Sequence, residues 1–469
     1  MGFPATVLLL SIILSAAVST GFALAGTGKV GICYGQLGDN LPTPTNSIEL
    51  MKTLKVKQVK IYDANPAILT ALKGSDIVVL VMVPNQLLVN ISTNQSLSDD
   101  WIRSNVVPFY PSTKIQYVLV GNEILSSPDR QIHLSLVPSM FRIRKSLVKF
   151  GLRKIKVATP SFLDILESSY PPSNGTFRAD ISNQIIKPML QFLNQTKSFF
   201  LIDVYPYFAW AADPVNIKLD YALLSAKNIT VKDPGTGLTY TNLLDQMIDA
   251  VYFAMKRMGY PKIRIFIAET GWPNGGDVDQ IGANIYNSAT YNRNVVKKFT
   301  AKPAIGTPAM PGAVIPALVF ALYNENLKPG QGSERHFGVL YPNGSSIYGL
   351  DFSGKTDDAE YGPLPAPTNN EVYKGKVWCV VRNGGKANRT EVGAAMAYAC
   401  GQGNGTCDPI KPRGVCYRPD SFIRQASYAF SAYWAQFKKL GGSCYFNGLA
   451  EQTIKDPSYG LCKFPSVTF

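Results

Sequence analysis

The stretch from Ile263 to Pro273 reads I-R-I-F-I-A-E-T-G-W-P. Its first six residues are mostly apolar, which is typical of a strand buried on both faces of a parallel sheet. The run ends at Glu269, whose charge is costly to bury, and the carboxyl ends of barrel strands are where side chains reach a substrate. We interpret Glu269 as a candidate functional residue. The alternative is a glutamate that caps or salt-bridges a strand-to-loop turn.

A second stretch has the same conflict between a buried strand and a charge. Ile115 to Glu123 reads I-Q-Y-V-L-V-G-N-E and also ends on a carboxylate. Cleavage of a glycosidic bond requires two carboxyl groups, since one protonates the leaving oxygen and the other acts at the anomeric carbon. Glu123 and Glu269 are therefore the candidate catalytic residues.

Up to about Phe352 the chain alternates between strand and helix patterns. Eight runs are predicted as buried strands: Val30–Tyr34, Val59–Tyr62, Ile77–Val83, Ile115–Gly121, Ile155–Thr159, Phe199–Tyr205, Ile263–Ala268 and Ala317–Tyr323. Helical periodicity lies between them, including Leu136–Phe150, Ile181–Leu193, Leu243–Met258 and Asn292–Phe299. This pattern predicts an α/β fold, a (β/α)8 TIM barrel with loop insertions. A doubly wound open sheet is the alternative, but it normally carries a glycine-rich phosphate turn that the sequence lacks.

The composition indicates a globular chain. Its 469 residues and 46% hydrophobic content allow one large domain and one small one. The formal net charge is +14, but Lys and Arg are scattered and no nucleic-acid motif accompanies them, so we expect no nucleic-acid partner. The charge instead favours weak, salt-sensitive retention on an anionic cell-wall matrix.

Residues 1–25 are predicted to be a secretory signal. Val7 to Leu14 is apolar, small residues follow, and Ala23-Leu24-Ala25 fits an A-x-A cleavage site. A membrane anchor is the alternative, but the apolar run is too short to span a bilayer. We therefore expect cleavage after Ala25 and a secreted protein without a membrane partner.

Eight N-x-S/T sequons fit a secreted chain, because each offers an acceptor for N-glycosylation, although such sequons also arise by chance. They lie at Asn90, Asn94, Asn174, Asn194, Asn228, Asn343, Asn388 and Asn404.

Two motifs identify the family that the barrel resembles. V-G-N-E at Val120–Glu123 and E-T-G-W-P at Glu269–Pro273 resemble the signatures of plant glycoside hydrolase family 17 endo-β-1,3-glucanases. The resemblance covers about Lys29 to Phe352. It implies a retaining mechanism with Glu269 as nucleophile and Glu123 as acid/base, and carboxyl groups about 5–5.5 Å apart.

Several neighbours match family positions that contact sugar. Asn122 precedes the proposed acid, and in related barrel glycosidases an Asn there bonds the sugar 2-hydroxyl; the alternative is a strand-end turn residue. In the segment Y-P-Y-F-A-W we carry over Tyr205 and Phe208, whose rings offer flat faces to sugars.

Glu325, Lys328 and Glu334 fall on charged family positions and are expected to orient the nucleophile; the alternative is an isolated surface network. The predicted substrate-binding residues are Tyr34, Asn122, Tyr205, Phe208, Trp272, Glu325, Lys328 and Glu334.

Neither metal nor cofactor is expected. The chain has two histidines, His133 and His336, and no Cys, His or carboxylate spacing around them suits zinc. Glycine-rich pieces lack the Lys-Ser/Thr of a phosphate loop. We therefore expect hydrolysis without a cofactor.

A linker is predicted at residues 357–376, where T-D-D-A-E-Y-G-P-L-P-A-P-T-N-N combines acids, prolines and small polar residues. It is expected to separate two cores and let the second domain act by effective concentration. Six of the seven cysteines follow it, which in a secreted chain predicts a disulfide framework with one of fifteen connectivities. The seventh, Cys33, is interpreted as a buried small hydrophobe.

The cysteine-rich segment resembles a second family, carbohydrate-binding module family 43, also called X8. Trp378-Cys379-Val380, Ala426-Ser427-Tyr428-Ala429 and Pro457-Ser458-Tyr459-Gly460 carry the resemblance. It implies a small, mainly helical domain that binds β-1,3-glucan, and the disulfides Cys379–Cys444, Cys400–Cys407 and Cys416–Cys462. Gln425 stands where the family usually has His, and Ser431-Ala432-Tyr433-Trp434 replaces its Asn-x-Tyr-Tyr.

Together these patterns predict a signal (1–25), a glycoside hydrolase barrel (26–356), a linker (357–376) and an X8 domain (377–469). The predicted function is a monomeric, secreted endo-hydrolase of β-1,3-glucan in the cell wall. P-P-S-N-G-T-F, N-L-L-D-Q-M and K-F-P-S-V-T-F resemble the anther-expressed branch that dissolves callose around pollen. The alternatives are a non-catalytic wall-binding protein and a β-1,3-1,4-glucanase.

Overall fold

The computed structural model describes residues 30–382, 388–403, 405–418 and 421–469. The predicted signal and Asn404 lie outside these ranges. Within them, no helix is both long enough and apolar enough to cross a membrane.

The strands are β1 Val30–Tyr34, β2 Gln58–Ile61, β3 Val78–Val83, β4 Lys114–Val120, β5 Lys156–Ala158, β6 Pro160–Phe162, β7 Leu166–Ser168, β8 Thr176–Phe177, β9 Phe200–Asp203, β10 Val231–Lys232, β11 Thr239–Tyr240, β12 Ile265–Thr270, β13 Gly306–Thr307, β14 Met310–Pro311, β15 Ala317–Val319, β16 Lys376–Val381, β17 Ala450–Thr453 and β18 Val467–Thr468. The α-helices are α1 Pro44–Thr53, α2 Pro66–Ala71, α3 Leu88–Thr93, α4 Gln95–Asn105, α5 Arg130–Lys149, α6 Ala179–Ile181, α7 Lys187–Thr196, α8 Pro206–Ala212, α9 Leu219–Ala222, α10 Leu243–Arg257, α11 Ile285–Thr300, α12 Arg389–Gln402 and α13 Phe422–Phe437.

The largest sheet is a parallel barrel. Its strand order is β5-β4-β3-β2-β1-β15-β12-β9-β6. β5 pairs with β4 and β6 pairs with β9, yet only Thr159 separates β5 from β6 in the chain. The two ends of the sheet therefore meet in one bent strand, which gives eight strand positions and confirms the predicted barrel.

Apolar strands and amphipathic helices build the core of the barrel. All six residues of β3, V-V-L-V-M-V, are buried, as expected for a strand covered on both faces. The helix α10 is buried on nearly all sides, since every residue from Leu243 to Val251 is buried, and it keeps Lys256 and Arg257 in its last turn, where cations suit the helix dipole. The buried surface of α10 is therefore wider than a single apolar stripe.

Two helices begin earlier than their apolar periodicity predicts. α5 begins at Arg130 because the Asp129 side chain accepts a hydrogen bond from the N–H of Gln131 at 2.8 Å. α11 begins at Ile285, where Asn284 accepts from the N–H of Asn287 at 2.9 Å. N-cap bonds of this kind satisfy backbone donors of the first turn, so they start a helix before its apolar stripe begins.

The C-terminal segment has a core of its own. Here β17, β16 and β18 form an antiparallel sheet against which α13 packs. The disulfides are Cys379–Cys444, Cys400–Cys407 and Cys416–Cys462, the pairing that the X8 resemblance implies. Such cross-links suit a domain too small to depend on apolar burial alone.

The segment between the two cores is bound to the barrel along its length. Asp358 pairs with Lys297 at 2.8 Å, and the ring of Tyr361 lies 4.0 Å from the guanidinium of Arg293. Further on, the backbone carbonyl of Asn369 accepts from Gly282 at 2.6 Å. The predicted linker therefore contacts the barrel through side chains and through its backbone, which a flexible tether does not require.

The arrangement of cysteines leads to a chemical prediction. Cys33 is buried and free, whereas the other six are paired. Mass mapping without reduction is expected to recover three cross-linked peptide pairs, and alkylation is expected to reach Cys33 only after denaturation. A disulfide that joins Cys33 to the C-terminal domain contradicts this arrangement.

Candidate active site

A cavity of about 620 Å³ opens at the carboxyl ends of the barrel strands. A smaller cavity of about 200 Å³ adjoins it and shares Glu123 and Glu269 with it. The first is lined by Tyr34, Gly35, Gln36, Leu37, Tyr62, Asp63, Asn122, Glu123, Glu269, Phe320, Glu325, Lys328 and Glu334, and the second adds Ser126, Phe162, Tyr205, Phe208 and Phe337.

A local irregularity of β12 positions Glu269. Ile267 pairs with Ile202, but the next pair is Glu269 with Asp203, so the register shifts at Ala268. Bulges of this type re-aim side chains next to active sites. Glu269 is therefore nearly buried, with 5% of its surface exposed, and it lines the cavity.

Three donors hold the Glu269 carboxylate. Oε1 accepts from Lys60 Nζ and from Tyr62 Oη, each at 2.6 Å, and Oε2 accepts from Tyr205 Oη at 2.6 Å. Burial by itself would raise the pKa of Glu269, but the Lys60 charge and these hydrogen bonds outweigh burial and lower the pKa. Glu269 is therefore held as an anion.

The backbone after β4 positions Glu123. Gly121 and Glu123 both have left-handed conformations, with φ of 70° and 50°. The side chain of Asn85 holds the turn, since it accepts from the N–H of Asn122 at 2.7 Å and donates to its carbonyl at 3.0 Å. A left-handed glutamate is uncommon and persists where its surroundings fix it.

Glu123 has the opposite electrostatic environment to Glu269. Burial, and next the negative charge of Glu269, raise the pKa of Glu123 to about 7. At neutral pH and below, much of Glu123 is protonated while Glu269 is ionised. Two carboxyls whose pKa values are driven apart can serve as acid and nucleophile.

Asp203 completes a cluster with these glutamates. One carboxylate oxygen each from Glu123, Asp203 and Glu269 lies within 4.8 Å of the others. Lys60 supplies a cation there, at 2.6 Å from Glu269 and 3.9 Å from Asp203, and all but Glu123 are buried. Burial raises the pKa of Asp203 well above its usual range, which favours the protonated form of this carboxyl.

Most of the predicted substrate-binding residues lie together at the cleft. Tyr34, Asn122, Glu325, Lys328 and Glu334 line the larger cavity, and Tyr205 and Phe208 line the smaller one. The side-chain oxygen of Asn122 has no hydrogen-bond partner among the residues that the structure describes.

The prediction that Trp272 binds substrate is wrong. Its indole is fully buried and packs against the rings of Tyr207, Trp210 and Tyr291, with centroids 5.2 to 5.7 Å apart. Its Nε1 donates to the carbonyl of Gly282 at 2.8 Å. The side chain supports the loop after β12 and presents no face to the cleft.

The charged residues after β15 bond to groups other than Glu269. Lys328 pairs with Glu334 at 3.2 Å, and Glu325 accepts from the N–H of Leu37 at 2.7 Å. The direct contacts to Glu269 come from Lys60, Tyr62 and Tyr205 instead. The expected orienting role therefore belongs largely to residues of β2 and the end of β9.

Lys60, Tyr62 and Asp203 were not predicted as site residues. A signal was present for two of them, because Lys60 and Asp203 are charged residues inside or at the end of buried strand runs, like Glu269. The pairing of Lys60 with Glu269 spans 209 residues and depends on barrel closure. The local sequence pattern around Lys60 therefore does not predict its pairing with Glu269.

The other predicted sites lie on the surface or outside the described residues. Seven sequon asparagines are exposed, while the eighth, Asn404, is outside the ranges described. The exposed ones are Asn90, Asn94, Asn174, Asn194, Asn228, Asn343 and Asn388.

Comparison with known proteins identifies the class of both segments. The model of glycosyl hydrolases family 17 matches residues 30–352, and that of the X8 domain matches residues 377–451. "Probable glucan endo-1,3-beta-glucosidase A6" of Arabidopsis thaliana is 51% identical over 440 residues, which cover 94% of this chain and 91% of that protein. "Glucan endo-1,3-beta-glucosidase" of Triticum aestivum is 36% identical over 471 residues, which cover 98% of this chain and 99% of that protein.

Solved structures agree with the barrel. CJP38, a β-1,3-glucanase and allergen of Cryptomeria japonica pollen, has 40% identity and a TM-score of 0.65, covering 69% of this chain and 99% of its own. One of two plant β-glucan endohydrolases with distinct substrate specificities has 34% identity and a TM-score of 0.63, covering 68% of this chain and 99% of its own.

A TIM barrel with two carboxyls of opposed pKa at its mouth is the architecture of a glycoside hydrolase. The matched model covers most of the chain. The protein belongs to glycosyl hydrolases family 17 and carries a C-terminal X8 domain.

The Lys60 contacts lead to a matched pair of predictions. Lys60→Met removes the cation and a donor from Glu269, which raises the pKa of Glu269 and should lower turnover by about 10²-fold or more. Asp203→Asn keeps the shape of a buried carboxyl whose pKa is raised by burial, so its effect should be far smaller. Steady-state kinetics and thermal unfolding of both variants test this.

Equal losses of turnover in the two variants, both folded, contradict the assignment of the charges. The acidic limb of the pH–rate profile gives a second test, since it should move to higher pH in Lys60→Met and not in Asp203→Asn.

Proposed function

We propose that the protein is an endo-hydrolase of β-1,3-glucan that acts with retention of anomeric configuration. The observation that carries the proposal is the carboxyl pair: an ionised Glu269 and a Glu123 with a pKa of about 7, with oxygens within 4.8 Å. Retaining glycosidases place the two groups about 5–5.5 Å apart, whereas inverting enzymes need about 6.5–9.5 Å to admit a water molecule. The relatives named above supply the substrate class.

In the first step Glu269 attacks the anomeric carbon from the side opposite the leaving group. A bond forms between a Glu269 oxygen and the carbon as the glycosidic carbon–oxygen bond breaks. Glu123 gives its proton to the departing oxygen, and the product is a covalent glycosyl-enzyme. The donors Lys60, Tyr62 and Tyr205 fix the attacking carboxylate before substrate binds.

In the second step Glu123, now a carboxylate, takes a proton from water. The hydroxyl adds to the anomeric carbon and the ester bond to Glu269 breaks, which restores both groups and the original configuration. The free acceptor oxygen of Asn122 suits a hydrogen bond from the sugar 2-hydroxyl, and the rings of Tyr205 and Phe208 suit the apolar faces of sugar units.

We also propose the domain layout, the location and the biological role of this enzyme. A signal at residues 1–25, a barrel at 26–356, a linker at 357–376 and a glucan-binding X8 domain at 377–469 fit a secreted wall enzyme. Exposed sequons and a net charge of +14 support that setting. Likeness to the anther-expressed branch supports a role in dissolving callose around developing pollen.

Mixed-linkage glucan is the second candidate substrate. We test this substrate because the two plant β-glucan endohydrolases named above have distinct substrate specificities. Digestion of linear β-1,3-glucan beside β-1,3-1,4-glucan, with product sizes and anomeric configuration read by NMR, separates the two. Inverted products contradict the proposed mechanism.

Replacement of either carboxyl should give unequal defects. Glu269→Gln keeps the shape but removes the anion, so turnover should fall by roughly 10⁴-fold or more while glucan binding persists. Glu123→Gln removes the proton donor, so it should still glycosylate on an activated aryl glycoside, whose leaving group needs no proton.

Both variants and wild type are assayed on linear β-1,3-glucan and on the aryl glycoside, with folding checked by circular dichroism. Wild-type activity in both variants contradicts the assignment of the two carboxyls, whereas no activity in any of the three folded proteins supports the non-catalytic alternative. Rescue of Glu269→Gln rather than Glu123→Gln reverses the assigned roles.

The pKa directions predict the pH profile. Glu123 must be protonated to act as an acid, so kcat/KM should fall as pH rises through about 7, the pKa of Glu123. Glu269 must be ionised, and its lowered pKa places the acidic limb below the usual Glu range. The basic limb should vanish in Glu123→Gln assayed on the aryl glycoside.

A further inference from the structure

The X8 domain contacts the barrel at loops that follow β12 and β15, beside the cleft. Val278 packs against the C-terminal core, and its N–H donates to Gln452 Oε1 at 3.0 Å. Asp279 pairs with Lys438 at 2.5 Å, and each side chain is only about a quarter exposed. Salt screens a partly buried pair less than a surface pair, so this contact can fix an orientation between domains.

Arg335 connects this interface to the cleft. Its guanidinium lies 3.9 Å from the centre of the Tyr445 ring of the X8 domain. Its Nη1 donates to the carbonyls of Lys328 and Gly330, at 3.0 and 3.2 Å. Arg335 is 7% exposed, so the aromatic ring and the two carbonyls form much of its environment. The turn held in this way carries the ion pair of Lys328 with Glu334 in the cleft wall.

The loop after β12 is tied to that turn independently. Asp277 Oδ2 accepts from the N–H of Gly332 at 2.8 Å, and Gln280 Oε1 accepts from the N–H of Ser333 at 2.7 Å. The loop that meets the X8 domain and the turn that lines the cleft are therefore joined by hydrogen bonds.

Two linker residues hold the domain in place. Asn284 donates to the side-chain oxygens of Asn369 and Asn370, both at 2.9 Å, and Asn287 donates to that of Asn370 at 2.7 Å. Asn369 donates in return to the carbonyls of Gln280 and Ala283, at 3.1 and 3.2 Å. A linker bound by this many hydrogen bonds does not act as a flexible tether.

We propose that the X8 domain is a fixed brace of the catalytic face, docked so that Tyr445 and Arg335 hold Lys328 and Glu334 in the cleft wall. The inference rests on the proposed function, because it takes the cleft as the glucan site. Its consequence is that hydrolysis of a short soluble β-1,3-gluco-oligosaccharide depends on the docked domain. A tethered module would help only with insoluble glucan, through effective concentration.

A charge swap across the interface tests the brace. Asp279→Lys and Lys438→Glu should each lower kcat/KM for a soluble oligosaccharide by about 10-fold, a usual size for coupling between sites. The double variant should recover most of the loss because it restores the ion pair in reverse. Tyr398→Ala is the matched control, since Tyr398 is 52% exposed and packs on Tyr433 within the X8 domain, and it should match wild type.

Hydrogen exchange gives a readout that does not depend on activity. Tyr445→Ala should speed amide exchange in residues 326–336 and lower kcat/KM together. Tyr445→Phe keeps the ring against Arg335 and should stay near wild type in both measurements, although it loses the hydroxyl bond to the Asn326 carbonyl.

Wild-type kcat/KM and wild-type exchange in Asp279→Lys and Tyr445→Ala overturn the inference. Loss of activity with unchanged exchange in residues 326–336, or without recovery in the swapped pair, also overturns it. A wild-type protein that is inactive on every β-glucan contradicts the proposed function instead, and the exchange comparison still decides whether the brace exists.

Discussion

The buried ion pair between Lys60 and Glu269 is the contact on which the site depends. Both side chains are removed from water inside the barrel, and each would be costly to bury alone. Their 2.6 Å contact, with the hydroxyls of Tyr62 and Tyr205, satisfies the carboxylate without leaving it free to move. Because these donors come from β2, its end and the end of β9, while Glu269 lies in β12, the carboxylate is held in this way only when the barrel closes. The strand pairing that forms the barrel is thus also what brings the donors to the Glu269 carboxylate.

The same closure separates the two glutamates electrostatically. Lys60 contacts Glu269 in the barrel interior. Glu123 lies on a turn with left-handed backbone, and burial and the charge of Glu269 have the largest effects on its pKa. The charge of Glu269 therefore raises the pKa of Glu123. Removing the charge of Glu269 should lower the pKa of Glu123, so the two groups titrate as a coupled pair rather than independently.

Much of this was predictable from the sequence, and the failures have physical causes. Eight strand runs and the two glutamates of the cleft were visible because buried apolar runs ending in a carboxylate are a local signal. Lys60 was missed because its partner lies 209 residues away, and only strand pairing brings the two together. Trp272 was misassigned because sequence alone does not distinguish an indole that stacks on sugar from one packed among Tyr207, Trp210 and Tyr291.

The linker shows why composition is a weak guide to domain coupling. Prolines and small polar residues predict an extended tether, since such residues cannot bury enough apolar surface to fold. Asparagine, however, carries both a donor and an acceptor. Asn369 uses both on the segment after β12, and the side-chain oxygen of Asn370 accepts from Asn284 and Asn287 there. That loop begins just beyond Glu269. A polar segment can thus be ordered by hydrogen bonds where no core is available, and here it fixes the second domain against the loops that complete the cleft.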